Sequence, residues 1–420
     1  MSTTVAPHPT RAPAPWVWML LNLPFGATSG YVAVTLGFIA KQQGLDDEVV
    51  GGLVAASLFP HTWKFLFAPL ADLTLSRKTW YIIANLCSCV TLGSVGFVSL
   101  KTDLSLANAL LVLNSVFIAF LGMAVEGLMA HTTPPDQLGR AAGWFQAGNL
   151  GGGGVGGGLA LIVAENSSGE LASIFISVLL GLCTLGLLFV QTPHEPREKS
   201  VGAAMRGIGK DLWGVFGSRL GIVAIALCLL PLGAGAAANF FSAIGEKPYG
   251  ASPELIALVQ GVLGGVVSAA GCLVGGWLSD RMTRRNAYAL AGLILGAISA
   301  LMALSPATPV TYALYCLAYN LGSGVCYGAF TGFVLEVIGK GAAATKYNAL
   351  AALSNIPILY MTLVLGTVST DSGTTTMLWV DAASGMIGAV AIFALAWALR
   401  VGATKTAHVD VASDAHVPSR

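Results

Sequence analysis

The chain has 420 residues, 55% of them hydrophobic and only 10% charged, and its mean hydropathy is +0.75. Soluble globular proteins carry about 25% charged residues, so this composition excludes a water-soluble fold and indicates an integral membrane protein. The net charge of +1 and the lack of a long Lys/Arg run argue against nucleic acid as a partner.

The chain begins with a Pro- and Ala-rich segment, residues 1–15, which has no small-residue cleavage site before the first apolar run. Such a segment is typical of a disordered cytoplasmic tail rather than a signal peptide. Beyond it lie twelve apolar runs, each near the roughly 20 residues that a helix needs to cross a hydrocarbon core. They cover 16–40, 48–71, 79–100, 105–130, 141–164, 170–191, 218–244, 253–279, 287–305, 309–338, 345–369 and 376–400.

A long polar interruption at 192–211 separates the sixth run from the seventh. The predicted organisation is a disordered cytoplasmic tail (1–15), a six-helix bundle (16–191), a cytoplasmic linker (192–217), a second six-helix bundle (218–400) and a disordered cytoplasmic tail (401–420). With the N-terminus inside, the tails and inner loops hold 17 of the 21 Lys and Arg residues, and three lie in the opposite loops. This asymmetry predicts that both termini are cytoplasmic.

Three landmarks repeat in the two halves at nearly one spacing. The Leu-Pro pairs of "LPFGATSG" and "LPLGAGAA" are 207 residues apart, Asp72 and Asp280 are 208 apart, and Glu126 and Glu336 are 210 apart. Two six-helix halves in parallel repeat are the plan of the major facilitator transporters.

The loop "GGWLSDRMTRR" (275–285) resembles the G-x-x-x-D-R-x-x-R-R motif of the major facilitator superfamily, and "APLADLTLSRK" (68–78) is a degenerate copy of it. The stretches "FPHTWKFLFAPLADL" (59–73), "TPPDQLGRAAGWFQAGNLGG" (133–152) and "ATKYNALAAL" (344–353) resemble the muropeptide permeases and acetyl-CoA transporters of that superfamily. The resemblance implies an all-α integral membrane protein with twelve transmembrane helices in two pseudo-symmetric six-helix bundles.

The resemblance also implies a gate at the cytoplasmic ends of the spans. In the superfamily, aspartates such as Asp72 and Asp280 face a helix N-terminus of the opposite half, where the helix dipole favours a negative charge. The basic residues of the same two loops are further gating candidates: Arg77, Lys78, Arg281, Arg284 and Arg285.

The run from Gly148 to Gly158 has eight glycines in eleven residues and lies within the fifth predicted span. It lacks the Lys-Ser/Thr that ends the phosphate loop of an NTPase, and a flexible linker would leave unpaired amides in hydrocarbon. We therefore expect a helix whose pairs Gly152/Gly156 and Gly154/Gly158 allow close helix packing. Tight packing against one neighbour and a surface on which helices slide as the halves rock are both compatible with the run.

Ionisable residues at membrane depth are rare and usually functional. Burial favours the neutral form of a carboxyl group, so Glu126 is a candidate proton carrier and Glu336 is its pseudo-symmetric counterpart. Alternatively, these two residues form salt bridges at the cytoplasmic gate. The partners expected for Glu126 are Arg77, Lys78 and Arg140, and those expected for Glu336 are Lys340 and Lys346.

Lys64 lies one turn after His61 in the second span. It either attracts a carboxylate or phosphate of the substrate or extends along the apolar wall to the inner interface. Asp381, near the outer end of the twelfth span, is the fourth ionisable residue at this depth.

Amide and aromatic residues near the middle of the spans are the other candidates for substrate binding. The tyrosines of the tenth span recur at roughly helical spacing, which is compatible with a cavity wall and with core packing. With Lys64, the candidates are Asn22, Tyr31, Asn114, Gln146, Asn149, Asn239, Phe240, Tyr315, Tyr319, Asn320, Tyr327 and Asn355.

The seven cysteines lie in apolar runs without CxxC or Cys/His metal spacing. His61 and His131, the only histidines outside the tails and the central loop, have no evident nucleophile or ligand partner. The sequence therefore predicts no enzyme activity, no metal site and no cofactor.

These observations favour a monomeric, multi-pass secondary active transporter of the bacterial cytoplasmic (inner) membrane that works by alternating access. The resemblance to the muropeptide permeases implies uptake of a bulky polar solute, either a peptide-bearing cell-wall fragment (muropeptide) or a siderophore, which related permeases of that group import. We therefore predict proton-coupled import, with that solute, protons and membrane lipid as partners. Proton-driven efflux of drugs or metabolites is the alternative, although the glycine run lacks the proline common in exporters. Where the muropeptide permeases lead us to expect Asp-Ala-Tyr-Arg, this chain has "EGLM" (126–129), without the Arg that would grip a carboxylate.

Overall fold

The computed structural model describes residues 12–191, 201–340 and 342–399, and these residues form helices, turns and loops. The predicted C-terminal tail, most of the predicted N-terminal tail and residues 192–200 of the predicted linker lie outside the described residues. We number the membrane-crossing segments span 1 to span 12 in chain order.

The first half contains spans 1 to 6, and four of them include a π-helical or 3₁₀ segment. Span 1 comprises Trp16–Gly30, the π-helical Tyr31–Leu36 and Gly37–Gln42; span 2 comprises Asp47–Trp63, the 3₁₀ turn Lys64–Leu66 and Ala68–Leu73. Span 3 is Arg77–Val95 and span 4 is Leu104–Thr132. Span 5 comprises Leu138–Gly154, the π-helical Val155–Leu159 and Ala160–Asn166; span 6 comprises Gly169–Cys183 and the 3₁₀ segment Thr184–Phe189.

The second half follows a separate helix, Val201–Phe216, which we call the linker helix. Span 7 comprises Arg219–Leu229, the 3₁₀ segment Ala236–Phe240 and Phe241–Glu246, and span 8 comprises Pro253–Gln260 and Val262–Arg281. Span 9 is Arg284–Leu304 and span 10 is Pro309–Ile338. Spans 11 and 12 share the helical stretch Ala343–Ala398, which the backbone of Gly373 (φ 83°, ψ 170°) divides.

By length and hydropathy alone, eight helices of the described residues are able to cross a membrane. Spans 11 and 12 count as one of these eight, although a straight helix of 56 residues would be about 84 Å long, far longer than a bilayer is thick. Span 2 is interrupted at Lys64, span 3 begins with two basic residues, and span 7 is unwound between Leu229 and Ala236. The twelve predicted runs each coincide with one of the twelve spans, with ends that differ by at most five residues.

Several loops end in a side chain that caps the next helix. A helix start leaves four amide groups without an intrahelical partner, and a capping oxygen satisfies one of them. The capping residues are Asp46, Ser76, Ser168, Ser218, Ser252 and Thr308. These caps fix where a span begins after a short loop.

The glycine run of span 5 is helical, and one of its faces packs against span 1. A Cβ added at Gly152 would lie 2.6 Å from the carbonyl oxygen of Leu23, and Gly148 and Gly156 contact the backbone of span 1 one turn to either side. The absence of side chains therefore allows the two backbones to touch within the first half.

The other face of the same run packs against span 8, across the boundary between the halves. Gly154 lies beside Gly265, and Gly158 lies beside Val262. The two predicted glycine pairs therefore serve different neighbours, one inside the half and one in the opposite half.

Span 5 changes from α-helix to π-helix at Val155–Leu159, next to the π-helical part of span 1. Such a change disturbs the regular hydrogen bonds of the helix. The hydroxyl of Thr35 donates to the carbonyl oxygens of Gly156 (3.0 Å) and Gly157 (3.2 Å). Spans 1 and 5 are thus tied together where both depart from α geometry.

The halves meet along two seams: span 5 packs on spans 8 and 10, and span 11 packs on spans 2 and 4. In the first seam the approach is close, because a Cβ at Gly143 would lie 2.6 Å from the carbonyl oxygen of Cys272 and 3.0 Å from Cα of Gly276. Between the two seams, the halves enclose a cavity.

Candidate functional site

The cavity has a volume of about 380 Å³ and is lined by spans 1, 2, 4 and 5 of the first half and by spans 7, 9, 10 and 11 of the second. This volume lies within the range of roughly 300–1,000 Å³ that is typical of small-molecule sites. Seven of the predicted site residues line it: Asn22, Lys64, Glu126, Gln146, Asn149, Tyr327 and Asn355.

Glu126 lies at the floor of the cavity, with only 4% of its surface exposed. Its carboxylate accepts a hydrogen bond of 2.6 Å from the side-chain amide of Asn348, which belongs to span 11 in the other half. A bond between an ionised group and a neutral donor is stronger than a bond between two neutral groups. The protonation state of Glu126 therefore changes the strength of a contact between the halves.

A chain of neutral polar groups crosses the same floor beside Glu126. Asn149 donates to Gln146 (3.0 Å), and Gln146 donates to Thr331 of span 10 (2.7 Å). The hydroxyl of Thr331 lies 3.3 Å from the hydroxyl of Tyr347 in span 11. The cavity floor is thus a polar layer built from both halves.

Lys64 and His61 line the cavity wall on span 2. The ammonium group of Lys64 lies 5.6 Å from the centroid of the Phe25 ring and forms no hydrogen bond or ion pair among the described residues. Nδ1 of His61 is buried and lacks a hydrogen-bond partner in the same part of the chain. This wall therefore offers a cation and a polar nitrogen that a solute is able to engage.

The second half contributes a mainly aromatic wall. Tyr288 and Phe330 pack with ring centroids 5.5 Å apart, and the hydroxyl of Tyr288 donates to the carbonyl of Leu232 (2.6 Å) in the unwound part of span 7. Gly233 and Gly235 have positive φ there, which glycine adopts without the steric cost that a Cβ would add. The break in span 7 thus brings backbone to the cavity surface.

The structure places three predicted cavity residues of the helix bundles elsewhere. Asn114 donates to the carbonyl and hydroxyl oxygens of Ser88 (3.0 and 2.9 Å), so it joins span 4 to span 3. Tyr319 donates to the buried carboxylate of Asp381 (3.1 Å), inside the second half. Tyr31 is fully buried within the first half, away from the cavity wall.

Four more predicted residues also lie outside the cavity lining. Tyr315 accepts a hydrogen bond from Ser305 (2.8 Å), Asn239 donates to Thr362 (2.9 Å), and Phe240 packs beside Gly366. Asn320 packs against Gly264 of span 8. Their side chains pack against, or hydrogen-bond to, neighbours on other parts of the bundle, which draws them away from the cavity.

At the predicted cytoplasmic ends of the spans, two aspartates bind helix N-termini of the opposite half. Asp72 accepts hydrogen bonds from the amide (2.9 Å) and hydroxyl (2.8 Å) of Thr345 at the start of span 11. Asp280 accepts from the amides of Gly139 (2.8 Å) and Arg140 (3.0 Å) at the start of span 5, and from Nε of Arg140 (3.0 Å). Each carboxylate therefore lies where the helix dipole favours a negative charge.

Two of the predicted gating arginines reinforce these contacts. Arg77 pairs with Asp72 (3.5 Å), and Arg284 donates to the carbonyl of Pro135 (2.5 Å) in the other half. The other three predicted gating residues contact their own half. Lys78 donates to the carbonyl of Leu187 (3.1 Å), Arg281 stacks on Trp277 (4.1 Å), and Arg285 donates to Asn286 (3.3 Å).

The predicted salt-bridge partners of the two glutamates were wrong. Glu336 pairs with Arg284 (3.2 Å) rather than with a lysine, since the ammonium of Lys346 donates to the carbonyl of Lys340 instead. Glu126 has Asn348 as its partner, while the basic residues expected for it make the contacts given above. The side chain of Glu336 is 33% exposed, so its ion pair with Arg284 lies near the protein surface.

Sequence reasoning missed several residues of the site. Tyr347 and Asn348 lie within "ATKYNALAAL", which was noticed for its resemblance but not for its side chains. Thr331 follows Tyr327 by one helical turn, so the spacing of span 10 contained a signal for it. The described residues contain no group of three or more His, Cys, Asp or Glu side chains arranged to hold a metal ion.

A family model described as Major Facilitator Superfamily matches residues 18–362 of the chain. Two curated proteins, the anhydromuropeptide permeases of Escherichia coli strain K12 and of Escherichia coli O157:H7, are each 25% identical to it over 358 residues. The alignment covers 82% of this chain and 71% of each permease.

Solved structures with a similar fold include the E. coli fucose:proton symporter FucP, with a TM-score of 0.66 and 16% sequence identity. That match covers 90% of this chain and 98% of the FucP chain. The proton:xylose symporter XylE is also similar (TM-score 0.66, 13% identity, 90% of this chain and 95% of that chain). At these identities the likeness concerns the fold, and it confirms the predicted arrangement of twelve helices in two six-helix bundles.

Proposed function

The chain belongs to the Major Facilitator Superfamily, and from this premise we propose that it imports a bulky polar solute together with protons. As a member of that family it is a multi-pass membrane protein and a secondary transporter, not an enzyme. Coupling to protons, the direction of transport and the solute are the parts that we propose.

The observation that carries the proposal is the position of Glu126 between the cavity and the other half. An ionised carboxylate at membrane depth is costly unless it is paired, so loss of its partner favours proton uptake. If the halves part on this side, the bond to Asn348 breaks, and Glu126 takes up or releases its proton in step with that movement. Proton binding and the exposure of the cavity are then linked through one side chain.

The lining of the cavity supports an anionic, partly apolar solute. Lys64 supplies a cation that forms no hydrogen bond or ion pair among the described residues, Phe330 supplies apolar surface, and Tyr288 and Tyr347 supply rings with a polar edge. A peptide-bearing cell-wall fragment has carboxylates and sugar rings, and the similarity to anhydromuropeptide permeases supports this class first. A siderophore, which also has many polar oxygens, is the second candidate.

We further propose that the aspartate contacts form the cytoplasmic gate. The bonds of Asp72 to Thr345 and of Asp280 to Gly139 join the halves on one side of the cavity, while its floor is joined by Glu126 and Asn348. This arrangement corresponds to a state that is closed on the predicted cytoplasmic face. Opening that face requires both aspartates to leave their helix N-termini.

The test is uptake of a labelled anhydromuropeptide into proteoliposomes that contain the purified protein. With an inwardly directed proton gradient, we expect wild type to accumulate the solute above its external concentration. Glu126→Gln should only equilibrate it, so that the accumulation ratio falls to about 1, while counterflow exchange without a gradient persists. Glu165→Gln, an exposed carboxylate, is the matched control and should behave as wild type.

The outcomes separate the parts of the proposal. Concentrative uptake by Glu126→Gln would show that another group carries the proton. Absence of both activities from wild type would exclude muropeptides and direct the same assay to siderophores. Accumulation under an outwardly directed gradient would instead indicate efflux.

A further inference from the structure

The linker helix is set almost perpendicular to the span that follows it. Its residues Met205–Phe216 make an angle of 81° with Arg219–Leu229, the first part of span 7. Ser218 begins the new helix by accepting a hydrogen bond from the amide of Gly221 (2.9 Å). Because span 7 crosses the bilayer, a helix at this angle runs along the membrane surface.

The linker helix is amphipathic in the way that suits such a position. Ile208 is buried against the bundle, and Leu212 and Val215 on the same face are half-buried. Trp213 on the outer face is 81% exposed, and Met205, one turn before Ile208 at the edge of the packed face, is 47% exposed. Large apolar side chains with this exposure are typical of helices that sit at the boundary between headgroups and acyl chains.

Basic side chains lie beside this apolar surface. Arg206, Lys210 and Trp213 are spaced four and three residues apart, so they form one exposed stripe. Arg219, just after the bend, adds a third exposed cation. A stripe of this kind is complementary to the negative surface of a leaflet that contains anionic lipid.

We propose that the linker helix is a docking surface for anionic phospholipid headgroups, with Arg206, Lys210 and Arg219 as the headgroup contacts and Trp213 as the interfacial anchor. The bound helix also contacts the gate, because Asp211 accepts a hydrogen bond from the amide of Ala342 (3.3 Å) directly before span 11. The next amides of that helix start bind Asp72. Lipid binding to the linker helix would therefore stabilise the start of span 11, which is the helix start that Asp72 binds.

The experiment measures the apparent melting temperature of the full chain in neutral detergent while phosphatidylglycerol or phosphatidylcholine is added. A ligand that binds only the folded protein raises this temperature with its concentration. We expect phosphatidylglycerol to stabilise wild type, and 500 mM salt to weaken the effect relative to 50 mM, at concentrations chosen for roughly threefold different screening lengths. Phosphatidylcholine should have a much smaller effect.

The decisive comparison is between two variants that each lose two positive charges. Arg206→Gln/Lys210→Gln should raise the half-saturating concentration of phosphatidylglycerol roughly 30-fold, since each basic residue near a membrane surface contributes about fivefold. Lys41→Gln/Lys101→Gln, on the opposite predicted face, should match wild type. If the first double variant does not fold, Lys210→Gln alone should show a roughly fivefold change.

Equal responses of the wild type and both double variants would overturn the proposal. So would equal stabilisation by the two lipids, because it would indicate an apolar effect without headgroup recognition.

Discussion

The close packing of Gly143 makes a prediction about which conformation the protein favours. A Cβ at this position would lie 2.6 Å from the carbonyl oxygen of Cys272 and 3.0 Å from Cα of Gly276, and both neighbours belong to span 8 of the other half. The clash exists only while spans 5 and 8 are packed together. Gly143→Ala should therefore destabilise the state that is closed on the predicted cytoplasmic face.

The magnitude follows from the cost of overpacking. Adding a methyl group to a packed interface costs about 1–3 kcal/mol, which shifts the population roughly 5- to 150-fold toward the open state. Gly154→Ala is a matched control on the same face of span 5, because a Cβ there would lie 3.7 Å from Gly265, an ordinary van der Waals distance. We expect this control to change the population less than about twofold.

The assay is a distance measurement between spin labels on Leu75 and Lys340, exposed loop residues of different halves on that face. Cys87 and Cys89, which are half-buried, would first be replaced by serine, while the other five cysteines are buried. Gly143→Ala should add a population with a longer distance, and Gly154→Ala should not. If both variants give the wild-type distribution, or if both shift equally, the steric argument is refuted.

Two further substitutions test other contacts. Asp280→Asn removes the charge that binds the start of span 5, so the same labels should report a closed population reduced roughly tenfold or more, whereas Asp136→Asn, an exposed carboxylate nearby, should not change it. Thr35→Val keeps the side-chain shape but leaves two carbonyls of span 5 without their donor, which should lower the apparent melting temperature by about 1–4 °C. A decrease no larger than that of the exposed Thr370→Val would contradict this role.

The positions of the spans could be predicted from the sequence because the thickness of the bilayer sets the length of each apolar run. A run of about 20 apolar residues has few structural alternatives in lipid. The internal repeat then directed attention to Asp72 and Asp280, which the structure places at corresponding helix starts of opposite halves. Local sequence patterns were sufficient to predict these two contacts, because each involves only one carboxylate and one helix N-terminus.

The orientation of polar side chains within the bundles was harder to predict. Asn114 and Asn22 are both mid-span amides, yet only Asn22 lines the cavity. The difference depends on Ser88 and Thr91 of span 3, which lie close enough to accept hydrogen bonds from Asn114. Hydropathy predicts which segments cross the membrane, but it does not predict which neighbouring helix each polar side chain contacts.

The partner of Glu126 could not be predicted from the sequence for a related reason. Asn348 is 222 residues away in sequence and lies in the opposite half. Charge complementarity suggested Arg77, Lys78 or Arg140, but these cations contact other groups near the membrane surface. Contacts between the halves depend on a three-dimensional arrangement that a repeat within one sequence does not specify.

The seam between spans 5 and 8 has a consequence for the speed of the transport cycle. Where Gly143 meets Gly276 and Gly154 meets Gly265, the surfaces that separate are bare backbone. Glycine has no side-chain rotamers to rearrange, so at these two contacts the spans part without one side chain having to pass another. The slow step of the conformational exchange should then be the breaking of the polar contacts between the halves, namely those of Asp72 and Asp280 with their helix starts and that of Glu126 with Asn348. The rate of turnover would therefore depend on a few carboxylates rather than on the packing of spans 5 and 8.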